Sequence, residues 1–429
     1  MELPNFVTEL TSPLPPQEFF KNFISARKPA HIKFISNSLE KAFENWKSNK
    51  YLKQKCENEI VKVETRNSDK EKFGTSNKVL LPFCDFLNLL ETGEDLYYMT
   101  VQDIETDEKG PLELYSHPLA SLKEDFPLIL SDICPSLITH QINMWMGHSG
   151  SEKKKEEKKH EESKKTGTQS KLHHDFHDNI YLVIRGEKTF TLFPPHCVHQ
   201  LYVNGEISQV YDNGLICYKN DWGVQVREDG ADLLLRKKMM GSTMIKKKKK
   251  KEEEEIDDDE EDVDFDDDEA FSSFDEDNEE TNIDDYMDKM LDKVKEKEMQ
   301  NGPPSKKRKL NNGSCSSLEK NAFDLETEDN PMSFSQIDLR ESETEIIKKF
   351  PKYNQIKHEK IVVTIKEGEM LYLPSGWFHE VTSLSNPSLN SHLALSYWMY
   401  PPMKTGTFEK PYCDNYWKDR FEGIQANHL

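Results

Sequence analysis

Along this chain, apolar and polar positions alternate over short runs far more often than they recur at helical spacing. His31–Ile35 and Glu59–Thr65 alternate as strands, while Pro15–Ile24, opened by proline, and Leu81–Glu91 carry the spacing of short helices. From His140 onwards strands dominate: His140–Gly147, Asn179–Ile184, Lys188–Pro195, Lys360–Lys366, Glu369–Pro374, Trp377–Leu384 and Ser391–Tyr400. Turn formers such as Gly186, Gly368 and Pro374–Gly376 punctuate them. Strands this dense predict an antiparallel barrel or sandwich, here with an α/β segment ahead of it over residues 1–135 and a short helical tail over 404–429.

Two segments break the pattern. Ser151–Lys165 is charged and poor in apolar residues, which predicts a disordered loop over 148–167. A longer insertion, about 221–331, holds six consecutive lysines at Lys246–Lys251 followed by an acidic tract. Neither buries enough apolar area to offset the ~1–2 kcal/mol that ordering each residue's backbone costs. Disorder is therefore predicted for both, with a transient helix over Ile283–Met299. Strands resume afterwards, so one domain over 136–403 is interrupted rather than followed by another.

Charge changes the picture less than its size suggests. The 429 residues sum to −22, but Glu252–Gln300 alone holds 26 acidic residues against 4 lysines. The rest of the chain is close to neutral, so its acidity says nothing about a substrate. The adjacent lysines and acids read as a self-neutralising linker, and no nucleic-acid binding is expected from them. Seven cysteines without paired spacing predict neither a disulfide framework nor a zinc site, and a reducing compartment is expected. No secretory signal opens the sequence and no run approaches the ~20 apolar residues that span a bilayer, so no membrane association is expected. Four consecutive basic residues in Pro303–Leu310 predict recognition by a nuclear import receptor, hence a nuclear protein with a cytoplasmic share.

The chemistry concentrates in Ser170–Pro195. His173 and Asp175 are two apart, so on extended backbone both leave the same face. His379 lies on a distant strand-like run. Two imidazoles and one carboxylate on one side of a metal leave open positions, as oxygen chemistry at iron(II) requires. His-x-Asp alone is a weak signal, and His174 and His177 compete for the role. Parity disfavours His174, whereas His177 keeps the parity in the order Asp-x-His. Asn179 and Tyr181 share the wall, and Lys188 is the cation that a buried dicarboxylate demands.

Together these residues resemble the jumonji-C oxygenases, and among them the cupin-like protein hydroxylases. The family's first block, Asn-x-Trp-x-Gly followed by Ser/Thr-x-x-His-x-Asp with later Asn and Lys, is matched by Asn143–Gly147, Ser170, His173, Asp175, Asn179 and Lys188. The closing block is matched by Glu367–Val381, and the likeness runs from about Leu14 to Tyr400 outside the two inserts. It implies a mainly β double-stranded β-helix (jelly-roll, cupin) barrel with flanking helices. It also implies Fe(II) held by His173, Asp175 and His379, with 2-oxoglutarate and O2 as co-substrates. Lys188, Ser170 and Asn179 would hold 2-oxoglutarate, with Asn143 and Tyr181 beside it. Thr100 stands where relatives carry a contacting tyrosine, with Tyr98 two residues earlier, and Ser396 stands where some carry asparagine. The activity implied is hydroxylation of a protein substrate, lysine first, with demethylation or a silent scaffold as alternatives. Relatives dimerise through C-terminal helices, and Asp414–Gln425 is suited either to that or to packing on its own barrel.

Overall fold

The computed structural model describes residues 6–66, 72–74, 77–104, 106–107, 110–111, 113–149, 167–219, 226–232, 324–325 and 331–427. Two sheets face each other, antiparallel throughout except where Thr8–Leu10 runs parallel to Ala30–Ile32. The larger has ten strands and the smaller five. At the centre of the larger lie Met370–Leu373, Asp178–Arg185, His392–Met399 and Thr139–Gly147, hydrogen-bonded in that order. The smaller runs His173–His174, Phe378–Leu384, Glu187–Phe193, Ile361–Lys366, with Thr168–Gln169 also paired to Phe378–Leu384. From Asp178 onwards barrel strands alternate between sheets except at Glu187–Phe193 and Ile361–Lys366, which pair within the smaller one, the winding of a double-stranded β-helix that the resemblance implied.

The N-terminal segment does not merely lean on the barrel. Its strands Thr8–Leu10 and Ala30–Ile32 extend one side of the larger sheet, and Tyr97–Met99, Ile60–Thr65 and Lys78–Pro82 extend the other. Period-two patterning sorts the side chains of Asp178–Arg185. Tyr181 and Val183 point between the sheets, into a cluster with Phe190, Ile361, Val363, Ile365, Leu371 and Ala394. Ile180, Leu182 and Ile184 point outward, under helical residues such as Phe19, Phe86 and Leu90. Proline opens the first helix, Pro16–Phe19, as the pattern predicted, because its missing N–H is one that a first turn leaves unpaired.

The C-terminal helix, Tyr416–Asn427, spends its apolar face on its own barrel. Trp417 stacks on Tyr400 at 3.4 Å between ring centres, and Phe421 and Ile424 pack with Leu114. Order also extends into the expected insertion. At 226–232, Arg227 pairs with buried Asp229 and reaches Asp414 at 2.9 Å, while Asn213 donates to the Glu228 carbonyl. These polar partners replace the apolar burial whose lack suggested disorder there. The bulk of 148–167 and 221–331, including Ile283–Met299 and Pro303–Leu310, lies outside the described residues. Among the described residues, no helix is long and apolar enough to cross a membrane.

Candidate metal centre

Two strands make the centre. His173 sits directly opposite His379 in an antiparallel pair, so both imidazoles leave the same face of the smaller sheet. Their ring centres are 4.3 Å apart. Asp175 follows just past the end of the short strand, its carbonyl held by the Gly376 N–H at 2.9 Å. One ligand atom from each of His173, Asp175 and His379 lies within 4.8 Å of the others, which places a common centre about 2.8 Å or less from each. Side-chain shifts of under an ångström reach the bonding distance of ~2.1 Å.

The imidazoles are set for metal rather than for each other. His173 Nδ1 donates to the Lys171 carbonyl at 2.7 Å and His379 Nδ1 to the Trp377 carbonyl at 3.1 Å. Each Nε2 therefore presents its lone pair, the outer-shell arrangement typical of metal-binding histidines. Burial, and then neighbouring His379, push His173 down to about 4, so it stays unprotonated at neutral pH. His379 Nε2 lies 3.7 Å from the Asp175 carboxylate.

The competing histidines are otherwise engaged. His174 points to the opposite side, where Nε2 meets the Tyr218 hydroxyl at 2.6 Å. His177 stacks on His140 at 4.0 Å between ring centres and on Trp398, outside the ligand cluster. Its parity was right, but past Asp175 the chain turns before the next strand begins at Asp178.

Behind the ligands the next strand is clamped by a buried ion pair. Arg27 grips Asp178 with two nitrogens, at 2.6 and 2.8 Å, and also bonds Ser375. Asp178 accepts from the Tyr372 hydroxyl and from the Ser375 N–H. The Pro374–Trp377 turn, which holds both Asp175 and His379, is thereby fixed to the larger sheet. At Gly376 (φ +77°) a Cβ would stand 1.9 Å from the Gly214 carbonyl oxygen, so only glycine fits. Arg27→Ala strands the fully buried Asp178 carboxylate and is expected to cost ~3–5 kcal/mol, measurable by denaturant titration.

Between the sheets, polar side chains wait without partners. Lys188 is fully buried, and among the described residues its Nζ has no hydrogen-bond partner; Asn179 Oδ1 and Asn143 Nδ2 are likewise buried and unpaired there. Register explains the grouping. Leu192 faces His379 and Lys188 faces Ser383, so the Lys188 backbone stands four residues, about 13 Å, along the strand from the metal row. Tyr181, Ser396 and Asn143 form one row across the facing sheet. Buried unpaired polar groups are costly, and a bound molecule carrying negative charge would satisfy the two donors among them, Lys188 Nζ and Asn143 Nδ2. Burial alone drives Lys188 down to about 7.

Three expected contacts differ in detail. Ser170 Oγ already accepts the Val381 N–H at 3.0 Å, leaving its hydroxyl proton to donate. Ser396 Oγ accepts from the Trp145 indole at 2.8 Å, so it is backed by the tryptophan of the Asn-x-Trp-x-Gly block. Thr100 lies just beyond its strand, with its carbonyl taken by Gln102, and nothing brings its side chain to Lys188. The ring that meets Lys188 is that of Tyr98, 5.5 Å from Nζ. Phe334, stacked at 4.7 Å on His173, was also missed, because it follows the insertion and carries no motif.

Comparison with known proteins agrees with this geometry. The model of the cupin-like domain family matches residues 16–405. The chain is 28% identical to the JmjC domain-containing protein 4 of Schizosaccharomyces pombe, over 94% of this chain and 87% of that protein. It is also 28% identical to JmjC domain-containing protein E of Dictyostelium discoideum, over 49% of this chain and 58% of that protein.

Proposed function

We propose, on the premise that this chain belongs to the cupin-like domain family, that it is an Fe(II)- and 2-oxoglutarate-dependent dioxygenase hydroxylating a protein side chain. One observation carries the reading: a His-Asp-His cluster with both histidine Nε2 atoms presented, on the same inter-sheet face as a buried lysine that has no hydrogen-bond partner among the described residues. Iron and a 2-oxo acid, when bound together with dioxygen, would supply an oxidant for an unactivated C–H bond, one oxygen atom ending in succinate as carbon dioxide is lost and the other in the hydroxylated product. His173, Asp175 and His379 would hold the iron on one side only. Lys188 would neutralise the distal carboxylate, with Asn143, Asn179, Tyr181 and the Ser170 hydroxyl around the rest. Phe190, Ile365, Leu371 and Ala394 keep water from the chamber.

Lysine is the preferred target residue because the motifs also resemble those of jumonji domain-containing protein 7, a lysyl hydroxylase. On a methylated lysine the same hydroxylation ends in loss of the methyl group, so demethylation is the second reading, and a silent binding module the third. Candidate protein partners incubated with iron, 2-oxoglutarate and oxygen are expected to gain one oxygen by mass spectrometry, in step with succinate. Loss of methyl groups instead would establish the demethylase. Absence of iron-dependent succinate release would leave only the binding module. The Pro303–Leu310 basic run supports a nuclear location, expected to be lost when Lys306–Lys309 are replaced by alanine and the tagged protein is imaged.

A further inference from the structure

The Lys188 end of the space between the sheets holds a second buried group unpaired among the described residues. His392 is completely buried. Its Nε2 meets the Thr168 hydroxyl at 2.9 Å, while its Nδ1 is buried without a hydrogen-bond partner among the described residues. His392 alternates with Ala394 and Ser396 along their strand, so it points between the sheets. One ring ties it to Lys188. Tyr98 lies 5.7 Å from the His392 ring centre and 5.5 Å from Lys188 Nζ. Gly147 makes this approach feasible, since a Cβ there would stand 2.7 Å from Tyr98 Cδ2 and 3.0 Å from His392 Cε1. Thr168, opposite Ser383, and Lys188, also opposite Ser383, close the other wall.

The hydrogen-bond inventory points to an anion. In the tautomer in which the Thr168 hydroxyl donates to Nε2, the neutral imidazole carries its proton on Nδ1. In that tautomer the space between the sheets holds two buried donors, Nδ1–H and the Lys188 amine, and neither has an acceptor among the described residues. A dry space with two donors and no acceptor is satisfied by a carboxylate.

We propose that His392 is a second anchor for the distal carboxylate of the 2-oxo acid, its Nδ1–H binding one oxygen while Lys188 binds the other. The proposal rests on the oxygenase reading above. It also makes His392 a determinant of co-substrate choice, because a mono-acid lacking that carboxylate gains nothing from it.

Binding is tested by calorimetry on full-length protein loaded with Mn(II), an oxygen-inert stand-in for iron, titrated with 2-oxoglutarate and with 2-oxovalerate, which lacks the distal carboxylate. His392→Ala is expected to weaken 2-oxoglutarate at least tenfold while leaving Mn(II) affinity and 2-oxovalerate binding unchanged. Two amides separate recognition from support. The amide nitrogen of His392→Asn falls near Nδ1 and is expected to keep most of the affinity. His392→Gln reaches only towards Thr168 and should behave like alanine. The reverse order, with glutamine rescuing and asparagine failing, would make His392 a strut for Thr168 and overturn the proposal. So would a folded, Mn(II)-binding alanine variant with native 2-oxoglutarate affinity. If the native protein binds Mn(II) but no 2-oxoglutarate, the oxygenase reading falls with it.

Discussion

Alanine at His379 is expected to abolish iron-dependent succinate release, and alanine at Asp175 to do the same, while phenylalanine at His177 leaves it intact. The contrast matters because the sequence offers His177 as well as His379. His379 faces His173 across a strand pair and shares the cluster with Asp175. His177 stacks between His140 and Trp398, a role that a phenyl ring can fill. Removing a direct ligand should lower metal affinity by more than the ~10–100-fold that outer-shell partners contribute. Mn(II) titration followed by electron paramagnetic resonance reads that loss without depending on turnover. A His379→Ala protein with native Mn(II) affinity would dismantle the proposed centre.

Much of this centre was legible before any coordinates. Period-two alternation placed His173 and Asp175 on one face and rejected His174, since both facts follow from strand geometry alone. His379 needed the family resemblance, because nothing in residue spacing says which distant strands will pair. Lys188 was legible from charge: a lysine on an apolar strand is expensive unless it has a purpose. His392 was within reach by the same parity, four residues before Ser396, yet an isolated histidine in an apolar run carries no motif. Phe334 and Tyr98 were harder. Each reaches the site by tertiary packing, one from the edge of an insertion and one from an N-terminal strand that joins the larger sheet. Composition misjudged 226–232, where ion pairs with Asp229 and Asp414 do what apolar burial does elsewhere.

Lys188→Met is expected to make the empty protein more stable and nearly unable to bind 2-oxoglutarate. Methionine fills the same space without a charge to desolvate, so the dry lysine site loses its main cost. The same change leaves a bound dicarboxylate without its counter-ion, weakening binding by about 100- to 1000-fold, the scale of the ~3–5 kcal/mol lost when one partner of a buried pair is removed. The pH dependence gives the mechanism a sign. Burial lowers Lys188 to about 7 from an ordinary 10.5. Between those values the unfolded chain holds a proton that the folded chain does not, so this group's contribution to stability rises with pH and is lost as pH falls towards 7. The stabilising advantage of Lys188→Met should therefore be largest below pH 7 and shrink towards pH 10.5 in denaturant titrations. Co-substrate binding follows the opposite trend, because it needs the protonated amine. Native 2-oxoglutarate affinity is expected to fall about tenfold per pH unit above 7, whereas the residual affinity of Lys188→Met stays flat over the same range. Identical pH profiles for the two proteins would mean that Lys188 does not meet the carboxylate at all.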